Sequence, residues 1–465
     1  MTPETAVDIA RAVRSGAVTA SEVLAGCRER VEALDDTLHA FCTTAFDQAR
    51  ARAAEIDADV KAGRPVGPLA GVPVAVKDLI PTRDLRTTSG SLAYRDLVPE
   101  VDDVCVARLR AAGALIVGKT NASEFGYGPR GENPVFPPTL NPWDTRLTPG
   151  GSSAGSAVAV ATGMVPVALG SDGGGSIRVP AALCGVYGIK PAMGRVPLWP
   201  GCRDERSPGM SSWESLEHIG PLTRTVADAA LVLSVIAGPD PRDRHSIPCD
   251  DVDWHDLTLP AGLRVGYSPD LGHARVDPDV RAVVERAIAA LDVPVRRLDL
   301  DWPDLRETFD ALVAAETDLV GLRELAARVP LSAPVRAVLD RSWTAEQFTD
   351  AVRERKAAAN RMARLTDEID ILLTPTVSTT AYDRALPGPA TLAGLPAAPD
   401  EWTPFSAIAN LTGRPAASAP VGLTPSGLPV GLQIIGPHLG DHQVLAVSRL
   451  IEQTTWITSG PRRVA

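Results

Sequence analysis

Two glycine-rich runs that contain serine, and one lysine at the end of an apolar run, are the parts of this sequence best suited to chemistry. Residues 150–155 read Gly-Gly-Ser-Ser-Ala-Gly and include Ser152. Residues 170–178 include Ser176, which directly follows three consecutive glycines. Lys77 ends the run Val-Pro-Val-Ala-Val-Lys. A serine hydroxyl attacks poorly until a neighbouring base takes its proton. Either serine run alone could be a structural turn, but the two runs together with the lysine favour a nucleophilic serine.

The sequence around these residues indicates the elements that must position them. Residues 69–78, 114–118 and 165–170 are apolar and short, which is typical of buried strands. Residues 104–112 and 156–162 have the pattern of helices, so that strands and helices alternate. Because the strand runs are apolar on both sides, the sequence predicts an α/β fold. We expect a large mixed, largely parallel central β-sheet that is covered by helices on both faces.

We expect a single domain over residues 1–465, because no linker, repeat or low-complexity segment divides the chain. Thr19 and Glu22 have the spacing of a capping box at the start of a helix. The expected parts are N-terminal helices over about 1–62, a core over about 66–235, a variable helical and loop region over about 300–401, and a C-terminal return to core texture over about 402–465.

The composition argues against several classes of function. The chain has 465 residues and a formal net charge of -11, from 46 Lys and Arg against 57 Asp and Glu. Nucleic-acid binding needs clustered positive charge, so we expect no nucleic-acid partner. No basic and apolar leader and no membrane-length apolar run are present, so we expect a cytoplasmic protein without membrane contact. The six cysteines form no Cys-x-x-Cys pair, which argues against a zinc site.

One competing motif is a match to the nucleotide-binding loop. Gly113, Gly118, Lys119 and Thr120 have the required spacing. The four residues between the glycines are Ala-Leu-Ile-Val, which predict a strand where a phosphate-binding loop would need a flexible turn. The context therefore disfavours nucleotide binding.

A second competing motif is Gly-x-Ser-x-Gly at residues 151–155, which would make Ser153 the nucleophile of an α/β-hydrolase elbow. That elbow follows an apolar strand, whereas Thr-Pro-Gly precedes this motif. It also needs a later histidine, for which His438 and His442 are the candidates in a core-like C-terminal setting. We regard this interpretation as the weaker one.

The sequence resembles the amidase signature family over nearly the whole chain, and most densely over residues 69–230. Lys77 and both serine runs match family blocks at highly specific spacings. Further matches are Gly118-Lys119-Thr120-Asn121, Asn141-Pro142-Trp143-Asp144, Gly188-Ile189-Lys190-Pro191, Gly413-Arg414-Pro415 and the segment Gly427 to Gln433. One departure is Gly173, where many members carry a side chain, and we expect it to alter local loop packing and not the reaction class.

The resemblance implies an amidase that cleaves the C–N bond of a carboxylic amide through a Ser–cis-Ser–Lys triad. It makes Ser176 the nucleophile that carries an acyl-enzyme, Ser152 the relay after a cis peptide bond, and Lys77 the base. Burial of Lys77 at the end of an apolar strand would favour its neutral form. No metal or organic cofactor is implied.

Supporting roles follow from the same resemblance. Successive glycines let backbone N–H groups turn toward one point, so we expect an oxyanion hole. Its expected members are Gly173, Gly174, Gly175 and Ser176. The residues expected to hold these loops in place are Ser153, Asp172 and Arg178.

The substrate pocket is expected to be apolar. Pocket walls in the resembling family come from residues near 125–131, from 199–213 and from the C-terminal loop. The large side chains at those places here are Phe125, Tyr127, Trp199, Cys202, Met210, Trp213, Trp402 and Phe405. Such a lining fits a small-molecule amide, with aryl amides (aryl acylamidase activity) and carbamates (urethanase activity) as the candidate classes.

Two alternatives stay open. One is the glutamine-hydrolysing A subunit of a tRNA-dependent amidotransferase, whose usual Arg-rich run before Gly-x-Tyr-x-Leu-Ser is missing from residues 320–360. The other is a non-catalytic binding protein on the same scaffold, which the presence of Lys77, Ser152 and Ser176 disfavours. We favour a stand-alone amidase that acts as a monomer or homodimer.

Overall fold

A computed structural model describes residues 4–201, 207–210, 213–250, 252–455, 457 and 461. Eleven of the strands in these residues form one sheet, and the other two form a small hairpin. The strands are β1 Phe41–Thr44, β2 Pro73–Lys77, β3 Leu115–Thr120, β4 Val167–Ser171, β5 Tyr187–Lys190, β6 Ile219–Thr223, β7 Val265–Tyr267, β8 Val295–Arg297, β9 Ile371–Pro375, β10 Thr391–Leu392, β11 Leu395–Pro396, β12 Ala416–Leu423 and β13 Pro429–Ile435.

Helices surround the sheet and connect most of its strands. They are α1 Ala6–Arg14, α2 Ala20–Leu38, α3 Phe46–Lys61, α4 Val104–Ala111, α5 Ala154–Ala161, α6 Arg178–Cys184, α7 Val226–Ile236, α8 Pro278–Ala289, α9 Arg306–Ala315, α10 Leu319–Ala326, α11 Ala333–Asp340, α12 Ala345–Thr366, α13 Ala407–Leu411 and α14 Asp441–Thr455. The predicted capping box is present at α2, where Glu22 N donates to Thr19 Oγ1 and Thr19 N donates back to Glu22. No helix among these described residues is both long enough and apolar enough to cross a bilayer.

The order of strands in the large sheet is β1-β3-β2-β4-β6-β5-β12-β13-β9-β7-β8. The pairs β2–β3, β2–β4, β7–β8 and β7–β9 are parallel, and the remaining six pairs of described strands are antiparallel. The mixed α/β sheet covered by helices is confirmed. Parallel pairing is a smaller share than expected, because β6 runs antiparallel to both β4 and β5, and β12 and β13 run antiparallel to each other and to β5 and β9.

The core positions the two serine runs from both sides. Strand β2 is buried at every position and pairs in parallel with β4, so their carboxyl ends meet at one edge of the sheet. The first serine run enters α5 and the second enters α6, and these two helices pack against each other. The loops that carry serine are therefore fixed between rigid elements rather than being free at the surface.

Candidate active site

Lys77 is buried at the carboxyl end of β2 and contacts both serine loops. Its Nζ donates to Ser152 Oγ at 2.7 Å, to Ser171 Oγ at 3.0 Å and to the Ser171 carbonyl oxygen at 3.2 Å. Ser171 is the last residue of β4, and sequence reasoning did not single it out. The signal that could have found it is its place at the end of the strand next to β2. The adjacent Asp78 carboxylate accepts from the backbone N–H of Thr88.

Ser152 lies at a close crossing of backbones. The peptide bond between Gly151 and Ser152 is cis, and the Ser152 side chain is almost fully buried. A Cβ at Gly151 would lie 2.5 Å from the backbone nitrogen of Gly131, so only glycine fits there. This tight contact holds the Ser152 hydroxyl against the amine of Lys77.

Ser176 lies two residues before the start of α6 and is half-buried at the wall of a cavity of about 260 Å³. Gly151, Gly174 and Gly175 line the same cavity. The Ser176 carbonyl accepts a hydrogen bond of 3.1 Å from the backbone N–H of Ser153. The two serine loops are therefore joined directly, and the hydroxyl of Ser176 is open to a ligand in the cavity.

A buried ion pair fixes the second serine loop. The Arg178 guanidinium donates to both oxygens of Asp172, at 2.9 and 3.0 Å, and both side chains are completely buried. Asn410 and Gln433 complete the set, because Arg178 also donates to their amide oxygens, at 2.6 Å each. Burial alone would raise the pKa of Asp172, but the charge and hydrogen bonds of Arg178 and Asn410 hold that pKa well below its ordinary value. Asp172 therefore stays ionised as an anchor, and sequence reasoning missed the roles of Asn410, which bonds both Asp172 and Arg178, and of Gln433, which bonds Arg178.

One of the four residues expected to form an oxyanion hole, Gly175, uses its backbone N–H elsewhere. The N–H of Gly175 donates to Asp172 Oδ1 at 2.7 Å, so it is not available for an oxyanion. No acceptor among the described residues is bonded to the N–H groups of Gly173, Gly174 or Ser176. These three groups can serve an oxyanion hole, while Gly175 ties the loop to the buried ion pair.

Gly173 makes room for an aromatic wall of the cavity. A Cβ at this position would lie 2.8 Å from Cε3 of Trp213, so the indole occupies the space that a side chain would need. The Trp213 ring packs edge-on against Tyr127 at 4.8 Å. The indole N–H of Trp213 donates to Thr317 Oγ1 at 3.2 Å, and the Tyr127 hydroxyl is hydrogen-bonded to the same oxygen. Gly173 therefore leaves room for the indole of Trp213 beside the serine loop.

The predicted pocket residues do not all lie at the cavity. Tyr127 and Trp213 line it. The other predicted pocket residues that the structure describes do not line this cavity: Phe125, Trp199, Met210, Trp402 and Phe405. Cys202 lies outside the described residues.

Local packing explains these departures. The Phe125 ring packs on Tyr94 at 6.1 Å, and the fully buried Trp402 packs on Tyr382 at 5.2 Å. Phe405 is also fully buried, in the main core. The loop of residues 400–408 turns these aromatic rings inward and presents smaller side chains to the cavity.

Trp199 and Met210 have other neighbours. The guanidinium of Arg242 lies over the Trp199 ring, 4.1 Å from its centroid. Met210 lines a separate cavity of about 250 Å³, beside Leu79 and Ser89. Neither side chain borders the cavity that contains Ser176.

A further wall of the cavity was not foreseen. Leu271 and His273 come from the loop after β7, Trp302 comes from the loop after β8, and Phe309 and Val313 come from α9. These segments lie in the part of the sequence with the weakest motifs, where only helix and strand patterns could be read.

The competing motifs have structural explanations. Lys119 lies within β3, is completely buried and donates to Thr82 Oγ1 at 2.8 Å, so it does not face a phosphate loop. Ser153 is completely buried and donates to the Ser171 carbonyl at 3.2 Å rather than lining the cavity. His438 and His442 are exposed near the start of α14 and do not border the cavity. The described residues also contain no metal-binding group of His, Cys, Asp and Glu.

Comparisons with known proteins agree with this geometry. The family described as Amidase matches residues 22–445. The A subunit of the glutamyl-tRNA(Gln) amidotransferase from Synechococcus sp. (strain RCC307) is 36% identical, over 95% of this chain and 95% of that protein. The crystal structure of a bacterial aryl acylamidase of the amidase signature enzymes is 29% identical with a TM-score of 0.87, over 97% of this chain and 96% of the other. The corresponding amidotransferase protein of Thermotoga maritima is also 29% identical, with a TM-score of 0.76 over 97% and 99%. The chain therefore belongs to the amidase signature family.

Proposed function

We propose that this protein is a stand-alone amidohydrolase in which Ser176 is the nucleophile, Ser152 the relay and Lys77 the base. The observation that carries the proposal is the 2.7 Å contact between Lys77 Nζ and Ser152 Oγ. The loop of Ser152 is also tied to Ser176 at the cavity wall, because the Ser153 N–H donates to the Ser176 carbonyl. A lysine and a serine buried in hydrogen-bond contact, next to an accessible serine, is the arrangement needed for an activated nucleophile.

Acylation follows from these positions. Ser176 Oγ attacks the carbonyl carbon of the amide, and its proton passes to Ser152 while Ser152 gives its own proton to neutral Lys77. The negative charge that develops on the carbonyl oxygen is stabilised by the N–H groups of Gly173, Gly174 and Ser176. The proton then returns through Ser152 to the nitrogen, the C–N bond breaks, and the amine leaves.

Deacylation uses the same groups in a second round. Water attacks the acyl carbon on Ser176 and gives a proton through Ser152 to Lys77. The ester bond breaks, the proton returns to Ser176 Oγ, and the carboxylic acid leaves. An aryl carbamate would follow the same route with its phenol oxygen taking the returning proton and leaving in place of the amine, and deacylation would then release a carbamic acid.

The lining of the cavity favours an aromatic or apolar amide. Trp213, Trp302, Phe309 and Val313 give it a largely apolar surface, which suits a small aryl amide or carbamate. The strong structural similarity to an aryl acylamidase supports the same substrate class. We propose that the protein acts in the cytoplasm as a monomer or homodimer, without a nucleic-acid partner.

The second candidate is the glutamine-hydrolysing A subunit of an amidotransferase. The curated relatives in favour of it are 33–36% identical over most of this chain. Its substrate would be free glutamine, whose carboxylate needs a cationic partner, and the guanidinium of Arg306 at the cavity wall is already paired with Asp400 at 2.5 Å. This pairing makes the apolar amide the better fit.

The test measures release of nitroaniline from a nitroanilide and of phenol from a matched aryl carbamate by the purified protein alone. The variants are wild type, Ser176→Ala, Ser153→Ala and, as a matched control on an exposed turn, Ser426→Ala. We expect wild type, Ser153→Ala and Ser426→Ala to turn over the amide, and Ser176→Ala to lose at least about 10³-fold in kcat. Activity that survives in Ser176→Ala would contradict the nucleophile assignment.

A parallel assay separates the two candidates. Glutaminase activity of wild type, measured as ammonia release without any added protein, should be negligible beside anilide hydrolysis. Glutamine turnover with no anilide or carbamate turnover would favour the amidotransferase candidate.

A further inference from the structure

The cavity has a polar stretch of wall that takes no part in the proposed chemistry. His273 comes from the loop after β7, and Asp304, Arg306 and Asp310 come from the segment that leads from β8 into α9. Asp400 joins them from the C-terminal loop. The polar wall, defined as these five residues, borders the same cavity as Ser176.

The charged members of the polar wall already have partners. The Arg306 guanidinium lies 2.5 Å from Asp400 and 3.8 Å from Asp304. Asp310 lies 3.6 Å from the guanidinium of Arg341. Each of these charged side chains therefore has an oppositely charged group near it within the protein.

His273 differs from them. Both of its ring nitrogens are shielded from solvent, and neither has a hydrogen-bond partner among the described residues. Buried polar atoms are almost always bonded in folded proteins, so an exception at a cavity wall points to a ligand that supplies the missing bond. The imidazole has broad freedom about its Cβ–Cγ bond, so rotation can exchange the positions of its carbon and nitrogen atoms and turn a nitrogen toward the cavity.

We propose that His273 is a specificity-determining residue that hydrogen-bonds a polar group at the far end of the substrate's acyl portion. This inference rests on the proposed function, because it takes Ser176 as the atom that holds the acyl group in the cavity. The acyl portion stays attached to Ser176 after the amine leaves, so a contact with His273 lasts through both halves of the reaction. The preferred substrates are amides whose apolar acyl chain ends in a neutral or cationic hydrogen-bonding group.

The charge of the polar wall sets which polar groups are accepted. The Arg306 guanidinium lies between two carboxylates, those of Asp304 and Asp400, and the Arg341 guanidinium likewise lies between those of Asp310 and Glu307, so carboxylates outnumber guanidinium groups here. A carboxylate at the end of the acyl chain would add a further negative charge to this group and be repelled. Hydroxyl and ammonium groups avoid this repulsion and can donate to an imidazole nitrogen.

The experiment compares kcat/KM for the 4-nitroanilides of hexanoic acid, 6-hydroxyhexanoic acid and adipic acid. We expect wild type to prefer the hydroxyl compound over the other two. In His273→Phe the ratio of hydroxyl to hexanoyl should fall by roughly three- to tenfold, the effect of one hydrogen bond. His273→Gln keeps a donor and an acceptor and should retain part of the preference, and His255→Phe, at an exposed histidine, should keep all of it.

A binding measurement keeps the two proposals distinguishable. Calorimetric titration of Ser176→Ala, with and without His273→Phe, compares binding of hexanoic and 6-hydroxyhexanoic anilides without turnover. If wild type hydrolyses no anilide but the hydroxyl compound binds better through His273, the proposed function fails and the inference stands. If the hydroxyl-to-hexanoyl ratio is the same in wild type and His273→Phe in either assay, His273 only contacts water and the inference is overturned.

Discussion

At the scale of single residues, the proposed mechanism depends on Lys77 and Ser152 acting as one unit. Lys77 Nζ donates to Ser152 Oγ at 2.7 Å and to Ser171 Oγ at 3.0 Å, so Lys77 and Ser152 are in hydrogen-bond contact before a substrate binds. Groups that pass one proton between them do not contribute independently. This property leads to a specific expectation for single and double variants.

We predict that Lys77→Met and Ser152→Ala each lower kcat for a nitroanilide by about 10²- to 10⁴-fold, the range of general base catalysis. The double variant should be no slower than the slower single variant by more than about tenfold, because the relay is already broken. Steady-state kinetics of the three variants make the comparison. Multiplicative losses would contradict a shared proton path.

The buried ion pair of Asp172 and Arg178 leads to a stability prediction. In Arg178→Met the carboxylate would be left buried without its main partner, so we expect unfolding free energy to fall by about 3–5 kcal/mol. Arg50→Met is the matched control, because Arg50 pairs with Asp47 on an exposed helix face and should cost no more than about 1 kcal/mol. Urea denaturation at neutral pH measures both.

A second variant covers the case in which Arg178→Met does not fold. Asp172→Asn combined with Arg178→Met removes both charges and should be more stable than Arg178→Met alone. If the double variant is the less stable of the two, the cost does not come from the unpaired carboxylate.

The side chains proposed for catalysis were easier to bring together from the sequence than the walls of the pocket. Lys77, Ser152 and Ser176 lie in motifs whose spacing is specific, and the structure brings their loops together. Phe405 and Trp402 were misplaced because residue type alone does not tell which way a loop side chain points. Nothing in the sequence indicated that His273 borders the cavity, because a single histidine in a loop looks the same as an ordinary surface histidine.

At the scale of elements, the start of α4 shows how burial and hydrogen bonding act in opposite directions on the pKa of one carboxyl group. Asp103 precedes α4 and is completely buried, and its carboxylate accepts from the N–H groups of Cys105 and Gly201 at 3.0 and 3.1 Å. Burial raises the pKa of Asp103 to about 7 despite these hydrogen bonds. The protonated form is therefore favoured in the folded chain up to nearly neutral pH.

We predict that Asp103 makes the protein less stable as the pH rises from about 4 to 7. An unfolded aspartate loses its proton near pH 3.8, whereas the folded one keeps it until about pH 7, so stability present at low pH is lost as the pH rises through that value. The change is at most about 1.4 kcal/mol per pH unit. Asp103→Asn removes this dependence, so the stability of wild type relative to Asp103→Asn should fall over this window. Parallel curves of unfolding free energy against pH would contradict the prediction.

Elements near the motifs were foreseen more accurately than their exact ends. The sequence placed a strand at residues 69–78, and β2 occupies only Pro73–Lys77, because the residues before it form turns. The helix α2, whose start was predicted from its capping box, continues to Leu38 and stops where His39 adopts a left-handed conformation. Such ends depend on local hydrogen bonding that periodicity does not encode.

At the scale of the whole molecule, the C-terminal strands join the two halves of the sheet. β12 pairs with β5, and β13 pairs with β9, so both halves depend on residues that come last in the chain. The sequence indicated a return to core texture over about 402–465, where β12 and β13 lie. It could not place them at the centre, because pairing between residues hundreds of positions apart leaves no periodic trace in either segment.

We predict that a chain ending at residue 405 does not form a soluble, active protein. Removing β12 and β13 would leave β5 and β9 with unpaired edges and expose the apolar surface beneath them. A chain ending at Thr455 keeps every helix and strand of the described residues and is the matched control. Soluble yield, circular dichroism and nitroanilide turnover compare the two. A folded and active 405-residue chain would contradict the dependence on the central strands.

The ion pair under the nucleophile loop also has a consequence for biosynthesis. Arg178 and its acceptor Gln433 are separated by 255 positions. At translation speeds of about 5–20 residues per second, the ribosome needs roughly 13 to 50 seconds to pass from one to the other. During that interval the nascent chain already carries Lys77, Ser152 and Ser176 but lacks Asn410 and Gln433, which hold the Asp172–Arg178 pair in place. Under the proposed function, hydrolysis at Ser176 should therefore begin only after β12 and β13 have left the exit tunnel, so synthesis of these strands would time the onset of activity.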